Sequence, residues 1–342
     1  MSSSCGLERV GAILKSTRGD LVLSKRKLRQ AETIELVRLK REGVSQNLGF
    51  ASRPFVLCGL PVKRPAEGVL LHERRNGQFH LQVTGHPTYG LPWGQDRLVP
   101  IFLATLAIRQ QKQTITFRSA TEMLDTFGIQ QGGSQYRRLV GAFQRVFGAT
   151  IFFGTDSQRQ RALVVHQARF NFMSEARIWY SRDIDQETLP GECQNTVVLS
   201  NEFYEEIMSH PIPTDLEAAK ALSSAPAALD LFTWLSYRCF NAKEEERIPI
   251  FGDFGLARQI GSADYARPRK FRERLEGWLD LVRALWPECP ARISPNGTSF
   301  IPTGRTLYWP IQGTKTAGAR PNECEFAGNH RRLRGTDSFL TR

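Results

Sequence analysis

Apolar positions recur along this chain in a pattern that appears twice. Ile115, Phe117, Met123, Phe127 and Gly128 return 133 residues later as Ile248, Ile250, Leu256, Ile260 and Gly261. A second set, Tyr136, Val140, Phe143 and Phe147, returns 135 residues later as Phe271, Leu275, Trp278 and Val282. Each copy reads as a short strand, a helix closing on a hydrophobic-Gly step, a polar turn and a longer amphipathic helix. A hairpin follows in both. Two helices joined by a turn and followed by a hairpin predict a winged helix-turn-helix, and the chain predicts two in tandem.

In the first copy, Leu91-Pro92-Trp93-Gly94 marks a turn. Leu98, Ile101, Phe102, Thr105 and Ile108 then face a core, and Pro100 is tolerated because it lies in the first helical turn. Thr114–Phe117 is a short strand, and Ser119-Ala120-Thr121-Glu122 has the spacing of a capping box. Ser134 is the expected cap of the long helix, whose stripe Tyr136, Val140, Phe143 and Phe147 reads as core. Thr150–Gly154 and Ala162–Phe172 predict a hairpin with a polar tip over 155–161. His210-Pro211-Ile212-Pro213 reads as a linker, alongside the alternative that a helix from about Thr214 to Leu222 joins the modules. Beyond it come a helix near Ala225, a strand Ile248–Phe251, a helix Asp253–Ile260 and a long helix Arg267–Leu285 stopped by Trp286-Pro287. Ser294-Pro295-Asn296-Gly297 is the turn of a second hairpin.

These elements predict an α+β protein with a flexible basic N-terminal arm over 1–90, partly disordered, one winged-helix domain over 91–212 and a second over 213–312. A loose basic tail over 313–342 completes the chain. Within the arm, Ser24–Arg41 carries Lys25, Arg26, Lys27, Arg29, Arg38, Lys40 and Arg41 against Glu32 and Glu35. That run reads equally as a phosphate-binding arm or a solvated helix face.

Charge sharpens the picture. Lys and Arg number 46 against 34 Asp and Glu, a formal net charge of +12 that favours an acidic polymer as partner. On the first long helix the outward set is Arg137, Arg138, Gln144 and Arg145, with no carboxylate on the helix. Guanidinium and amide groups suit phosphates and base edges. On the second, Arg267, Arg269, Lys270, Arg272 and Arg274 crowd the start, while Glu273, Glu276 and Asp280 lie further along. Cations at a helix N-terminus oppose its dipole, so their presence there points to a task. Arg159 and Arg161 sit at or beside the first hairpin tip, where a wing meets a phosphate backbone.

Catalysis finds little support. Gly313-Thr314-Lys315-Thr316 lacks the upstream glycine of a phosphate-binding loop. The histidines include no close pair, and the cysteines no C-x-x-C, so no metal or cofactor is expected. The scattered cysteines read as reduced thiols, and no run of about 20 apolar residues exists, so the expected location is cytoplasmic, with no membrane contact.

Leu91-Pro92-Trp93-Gly94-Gln95-Asp96-Arg97-Leu98, with the unit ending at Phe127-Gly128, resembles the plasmid-encoded RepA family of replication initiators. Asp230–Arg238, Phe271-Arg272 and Trp286-Pro287 are similar to that family's later segment. The likeness covers roughly residues 88–310, and Trp93 stands where the family usually has Tyr. It implies a non-enzymatic initiator that binds repeated sequences (iterons) in double-stranded plasmid origin DNA and opens an AT-rich segment. It further implies recruitment of the host initiator, helicase and primase, and a homodimer in exchange with a monomer. The competing reading is a transcriptional regulator or autorepressor on an operator.

Overall fold

The computed structural model describes residues 47–77, 79–159, 162–178, 195–241, 247–252, 255–260, 267–294 and 299–301. The basic run over 24–41, Arg161 and the tail over 313–342 lie outside them. The molecule is of mixed helix and sheet, and its buried apolar side chains form one cluster running from Ala51 to Ala291.

The first strand, β1 (Leu48–Ala51), leads into the short helix α1 (Arg53–Leu57). A hairpin of β2 (Leu71–Asn76) and β3 (Phe79–Thr84) follows. These elements fall inside the stretch expected to be an arm, within which Phe50–Gln82 suggests irregular structure or a small hairpin, and the hairpin is present. They are instead core: Val56, Leu57, Leu81 and Val83 are buried, and Phe79 stacks on Phe153 at 5.9 Å. Period-two burial on β3 is visible in the sequence, but besides its hairpin neighbour β2 it pairs with β5, about seventy residues away and outside any local window.

A 3-10 turn, Gly94–Arg97, opens α2 (Leu98–Gln110), which is buried along nearly its whole length. Next come β4 (Thr114–Phe117), α3 (Ala120–Thr126) and α4 (Gly133–Phe147). Ser119 is the N-cap of α3 as its spacing implies, although the Glu122 carboxylate accepts from Arg118 N–H (2.9 Å) and not from the cap residue. Helix α3 ends on Gly128 at φ +58°, with Gly128 N–H donating to Asp125 O (3.1 Å) and Ile129 N–H to Leu124 O (2.8 Å). This is the Schellman closure that makes a Phe-Gly step a stop signal. Helix α4 starts one residue before Ser134, with Gly132 as its cap. Its buried residues are Leu139, Ala142, Phe143 and Val146, whereas Phe147 is 41% exposed. The expected stripe is therefore rotated by one position: Leu139 and Val146 complete the core face around Phe143 at spacings of three and four.

The strands β5 (Thr150–Arg159) and β6 (Ala162–Asn171) form a ladder of ten residue pairs, which takes in residues 155–159 of the stretch expected to be the tip. This hairpin joins β2 and β3 in a four-stranded sheet ordered β2-β3-β5-β6. The strand that closes on β4 is β8 (Asn195–Leu199), itself paired with β7 (Met173–Arg177).

Ser200 caps α5 (Asn201–Ser209), its Oγ accepting from Phe203 N–H at 3.1 Å. The supposed linker is structured. Ile212–Asp215 is β9, paired antiparallel with β1 from Leu48↔Asp215 to Ala51↔Ile212. An edge strand tolerates Pro213 because its missing N–H need not enter a ladder. Asp215 then caps α6 (Leu216–Leu222), accepting from Glu217 and Ala218 N–H.

The second unit repeats the order of the first. It runs α7 (Pro226–Asn241), β10 (Ile248–Pro249), α8 (Leu256–Gln259) and α9 (Pro268–Leu285). The strands β11 (Arg292–Ile293) and β12 (Ser299–Ile301) follow, in a sheet ordered β10-β12-β11. All eight apolar partners of the first repeat set, Ile115 through Phe127 and Ile248 through Ile260, are buried. In α9 the buried face includes Leu275, Leu279 and Val282 with Trp278 partly buried, matching Leu139, Phe143, Val146 and Ala142 of α4.

Candidate nucleic-acid interface

The start of α9 is the most exposed concentration of cations among the described residues. Arg267 is the N-cap, Pro268 occupies the first helical position, and no side chain caps the helix. Arg267, Arg269, Lys270 and Arg274 are exposed. Pro268 removes one of the unsatisfied N–H groups and sets the backbone for a helix, which is how the chain starts one here without an acidic cap. Arg269 Nε meets Glu273 Oε1 at 3.1 Å, but the Arg269 side chain is 91% exposed, so water screens the pair and it holds the guanidinium only weakly. Arg272 differs from its neighbours. It is half-buried, with its guanidinium 5.5 Å from the Phe251 ring centroid. It packs on the preceding segment while the other four cations face solvent.

On α4 the structure divides the expected set. Arg137, Arg138 and Gln144 are exposed, and Arg137 Nε donates to Gly133 O at 3.3 Å within the helix. Arg145 is half-buried and engaged: Nε and Nη2 grip the Asp96 carboxylate at 2.6 and 2.9 Å, with the guanidinium 5.8 Å from the Trp93 ring centroid. A bidentate, partly desolvated pair of this kind is committed. Arg145 thus serves the inside of the protein, because the helix rotation that buries Val146 also turns its neighbour towards the 3-10 turn. Arg159 ends β5, and the structure describes its backbone only; Arg161 falls outside the described residues.

In the turn Trp93–Arg97 the sequence suggests only that Asp96 caps the following helix, but that helix has Arg97 at its N-cap with no side-chain bond, and the turn's polar groups are used elsewhere. Gly94 sits at φ +58°, a conformation that glycine adopts without strain. Asp96 Oδ2 also accepts from Trp93 N–H (2.9 Å), and Gln95 Nε2 donates to Ser223 O (2.8 Å) at the end of α6. Arg97 is buried. Its Nε donates to Gly94 O (2.7 Å), its Nη2 to Leu60 O (3.1 Å) and Pro61 O (2.9 Å), and its Nη1 to the carboxylate of Asp230 on α7. Burial pushes the Asp230 carboxyl up, against the pull of Arg97 and Arg74. A Cβ on Gly59 would come within 2.5 Å of Asp230 Oδ2, so only glycine lets the chain pass here. The signal was present: an Arg at the mouth of one apolar helix and an Asp inside another require each other once both are buried.

His72 packs beside this pair, its Nε2 2.9 Å from Gly59 O. Burial, and then the charge of Arg74, lower its pKa from 6.5 to about 3. The folded protein therefore keeps His72 neutral where the unfolded chain is already protonated. Its contribution is intact above about pH 6.5 and is lost as pH falls towards 3. Lowering the pH from about 7 to about 5 is expected to cost up to about 2 kcal/mol through this residue. Urea unfolding at the two pH values should show that loss, and His72→Gln should remove most of it; equal losses in the two proteins would refute the assignment. Burial likewise pushes the Cys58 thiol up to about 12 and the Cys289 thiol up to about 11, so neither is a ready nucleophile. Among the described residues no cluster of His, Cys, Asp or Glu is arranged to hold a metal, and no helix is long and apolar enough to cross a membrane.

The geometry defines an α+β protein with two related units of strand, short helix and longer helix, each turning exposed cations outward from its longer helix. Residues 107–248 match the family model described as plasmid encoded RepA protein. That segment runs from the end of α2 to the first residue of β10, and across it the resemblance to the plasmid-encoded RepA family is shown. No curated protein matches the chain. Among solved structures it is similar to the RctB domains 2-3, at 12% identity over 72% of this chain and 94% of that one, with a TM-score of 0.45. A selenomethionine crystal structure of domain 2 and domain 3 of RctB is similar at 14% identity, covering 67% of this chain and 84% of that one, with a TM-score of 0.44.

Proposed function

We propose that this protein is a plasmid replication initiator, without enzymatic activity, that binds repeated sequences in origin DNA through two winged helix-turn-helix modules. The observation that carries the reading is the family match over residues 107–248. The repeated order of strand, helix, helix and hairpin supports it, with α4 and α9 as the helices that approach the grooves. In the second unit the strand between the helices, β10, pairs with β12 of the hairpin that follows α9, the connection a wing requires. In the first, β8 takes that place, and β5 and β6 extend a separate sheet. Two unlike modules in one chain fit one asymmetric site better than a palindrome, which favours an initiator over a dimeric operator-binding regulator. In this role α9 meets DNA with Arg267, Arg269, Lys270 and Arg274, and α4 with Arg137, Arg138 and Gln144. Helping to open the origin and recruiting host initiator, helicase and primase belong to the same proposal, as does exchange between homodimer and monomer.

Gel shifts on DNA flanking the gene test the binding. The protein is expected to prefer that DNA over random duplex at about 150 mM salt, where non-specific association is strongly screened. Equal affinity for both would sink the proposal. A marker plasmid carrying the gene and its flanking DNA should replicate autonomously, an outcome that an operator-binding regulator would not produce.

A further inference from the structure

The turn Trp93–Arg97 joins the two units through consecutive side chains that face in different directions. Asp96 grips Arg145 on α4 at 2.6 and 2.9 Å. Gln95 donates to Ser223 O at the end of α6, and Arg97 pairs with Asp230 on α7, across 133 residues of chain. Helix α7 in turn packs against α9. Gly94 N–H donates to Pro61 O at 2.8 Å, fixing the turn to the segment that also receives Arg97. The path therefore runs from α4 to α7 through charged, hydrogen-bonded groups, and from α7 to α9 by helix packing. Among these, Asp96, Arg97 and Asp230 are buried.

A buried, fully bonded network of this kind is a poor way to gain stability, since a well-packed apolar core does as well. What it supplies is geometry. Each guanidinium is a planar fork with fixed donor directions, and each holds a partner on a different element. We infer that the turn Trp93–Arg97 is a positioning element that holds α4 and α9 at one mutual orientation, so that the protein accepts two DNA contacts only at one fixed spacing. Trp93, Gln95, Asp96 and Arg97 are positioning residues that need not touch DNA. The inference rests on the reading that both helices bind one duplex. It also gives a task to the motif that drew the family resemblance, which the proposed interface left without one.

The test uses the full chain. A preferred duplex is selected by the wild-type protein from a randomised pool, and footprinting locates its two protected segments. One or two base pairs are then inserted between them. Each added pair moves the far segment by about 3.4 Å and turns it by about 35°. Wild type should lose at least about tenfold in affinity for the inserted duplexes. Asp96→Asn keeps the size of the side chain but weakens the grip on Arg145. It should bind the unmodified duplex less well and pay an insertion penalty of about threefold or less. A merely structural role would lower thermal stability and leave the penalty unchanged. A folded Asp96→Asn protein that keeps the tenfold penalty overturns the inference. So does a wild type that selects a sequence yet tolerates insertion, and in that case the proposed function stands. Selection of no sequence at all takes down the proposed function and this inference together. Should Asp96→Asn fail to fold, Gln95→Ala, which removes one half-buried hydrogen bond, and Arg145→Lys, which keeps the charge but loses the fork, are read in the same way.

Discussion

Replacing Asp230 by Ala is expected to cost about 3–5 kcal/mol, because it strands the Arg97 guanidinium in a buried site with one of its partners gone. Domains of ordinary stability hold only about 5–15 kcal/mol in reserve, so the variant should be close to unfolding at ambient temperature. The three carbonyls that Arg97 also reaches remain, and they satisfy donors without neutralising the charge. Urea unfolding followed by circular dichroism measures the loss. The paired change Arg97→Met with Asp230→Leu should be less damaging than Asp230→Ala alone, since no charge is then left behind. It will not be neutral, because the Gly94, Leu60 and Pro61 carbonyls lose their donor, at about 1 kcal/mol for each bond not replaced by water. A loss under about 1 kcal/mol for Asp230→Ala would show that the pair is not buried as described.

Removing the exposed cations at the start of α9 should have the opposite profile, with a large effect on DNA and little on folding. Arg267, Arg269, Lys270 and Arg274, all changed to Ala, should weaken binding to the preferred duplex at least tenfold at about 150 mM salt. If each contacts a phosphate, the slope of log affinity against log salt should fall by about 3 to 4. Stability should hold or rise slightly, because Arg267, Arg269 and Lys270 in the first turn oppose the helix dipole and the Arg269–Glu273 pair is exposed to water. Arg272 is left in place because it packs over Phe251. An unchanged salt slope in a folded variant would remove α9 from the interface. A parallel change of Arg137 and Arg138 on α4 tests the first unit in the same way.

These two experiments separate charges of different kinds, and the sequence does not distinguish them. Arg145 and Arg138 sit on one carboxylate-free helix and read alike as outward cations. Yet one is tied to Asp96 and the other is exposed. The difference is a rotation of one residue in the buried stripe. Tyr136, Val140, Phe143 and Phe147 have good helical spacing, but so do Leu139, Phe143 and Val146, and only packing against the neighbouring elements selects between them. The second unit was easier to place, since Phe271, Leu275 and Val282 are all buried as the spacing implies. The stretch 48–84 was hardest. Its Pro and Gly residues and short apolar runs suggest irregular structure or a small hairpin; the hairpin is there as β2 and β3, but the partners of β1 and of the other edge of β3 come from residues 212–215 and 150–155.

The amino-acid sequence by itself determined the repeat: the order of strands and helices in each unit, the Schellman stop at Gly128, the long helix α9 and the cations gathered at its start. Those features depend on side chains a few residues apart, so local periodicity and capping chemistry contain them. Only the tertiary structure decided that β1 and β9 close one body where a linker was expected, that Arg145 turns inward, and that Trp93–Arg97 ties α4 to α7. Each of these depends on groups distant in sequence meeting in a low-dielectric interior, where a charge must find its partner and a strand its ladder.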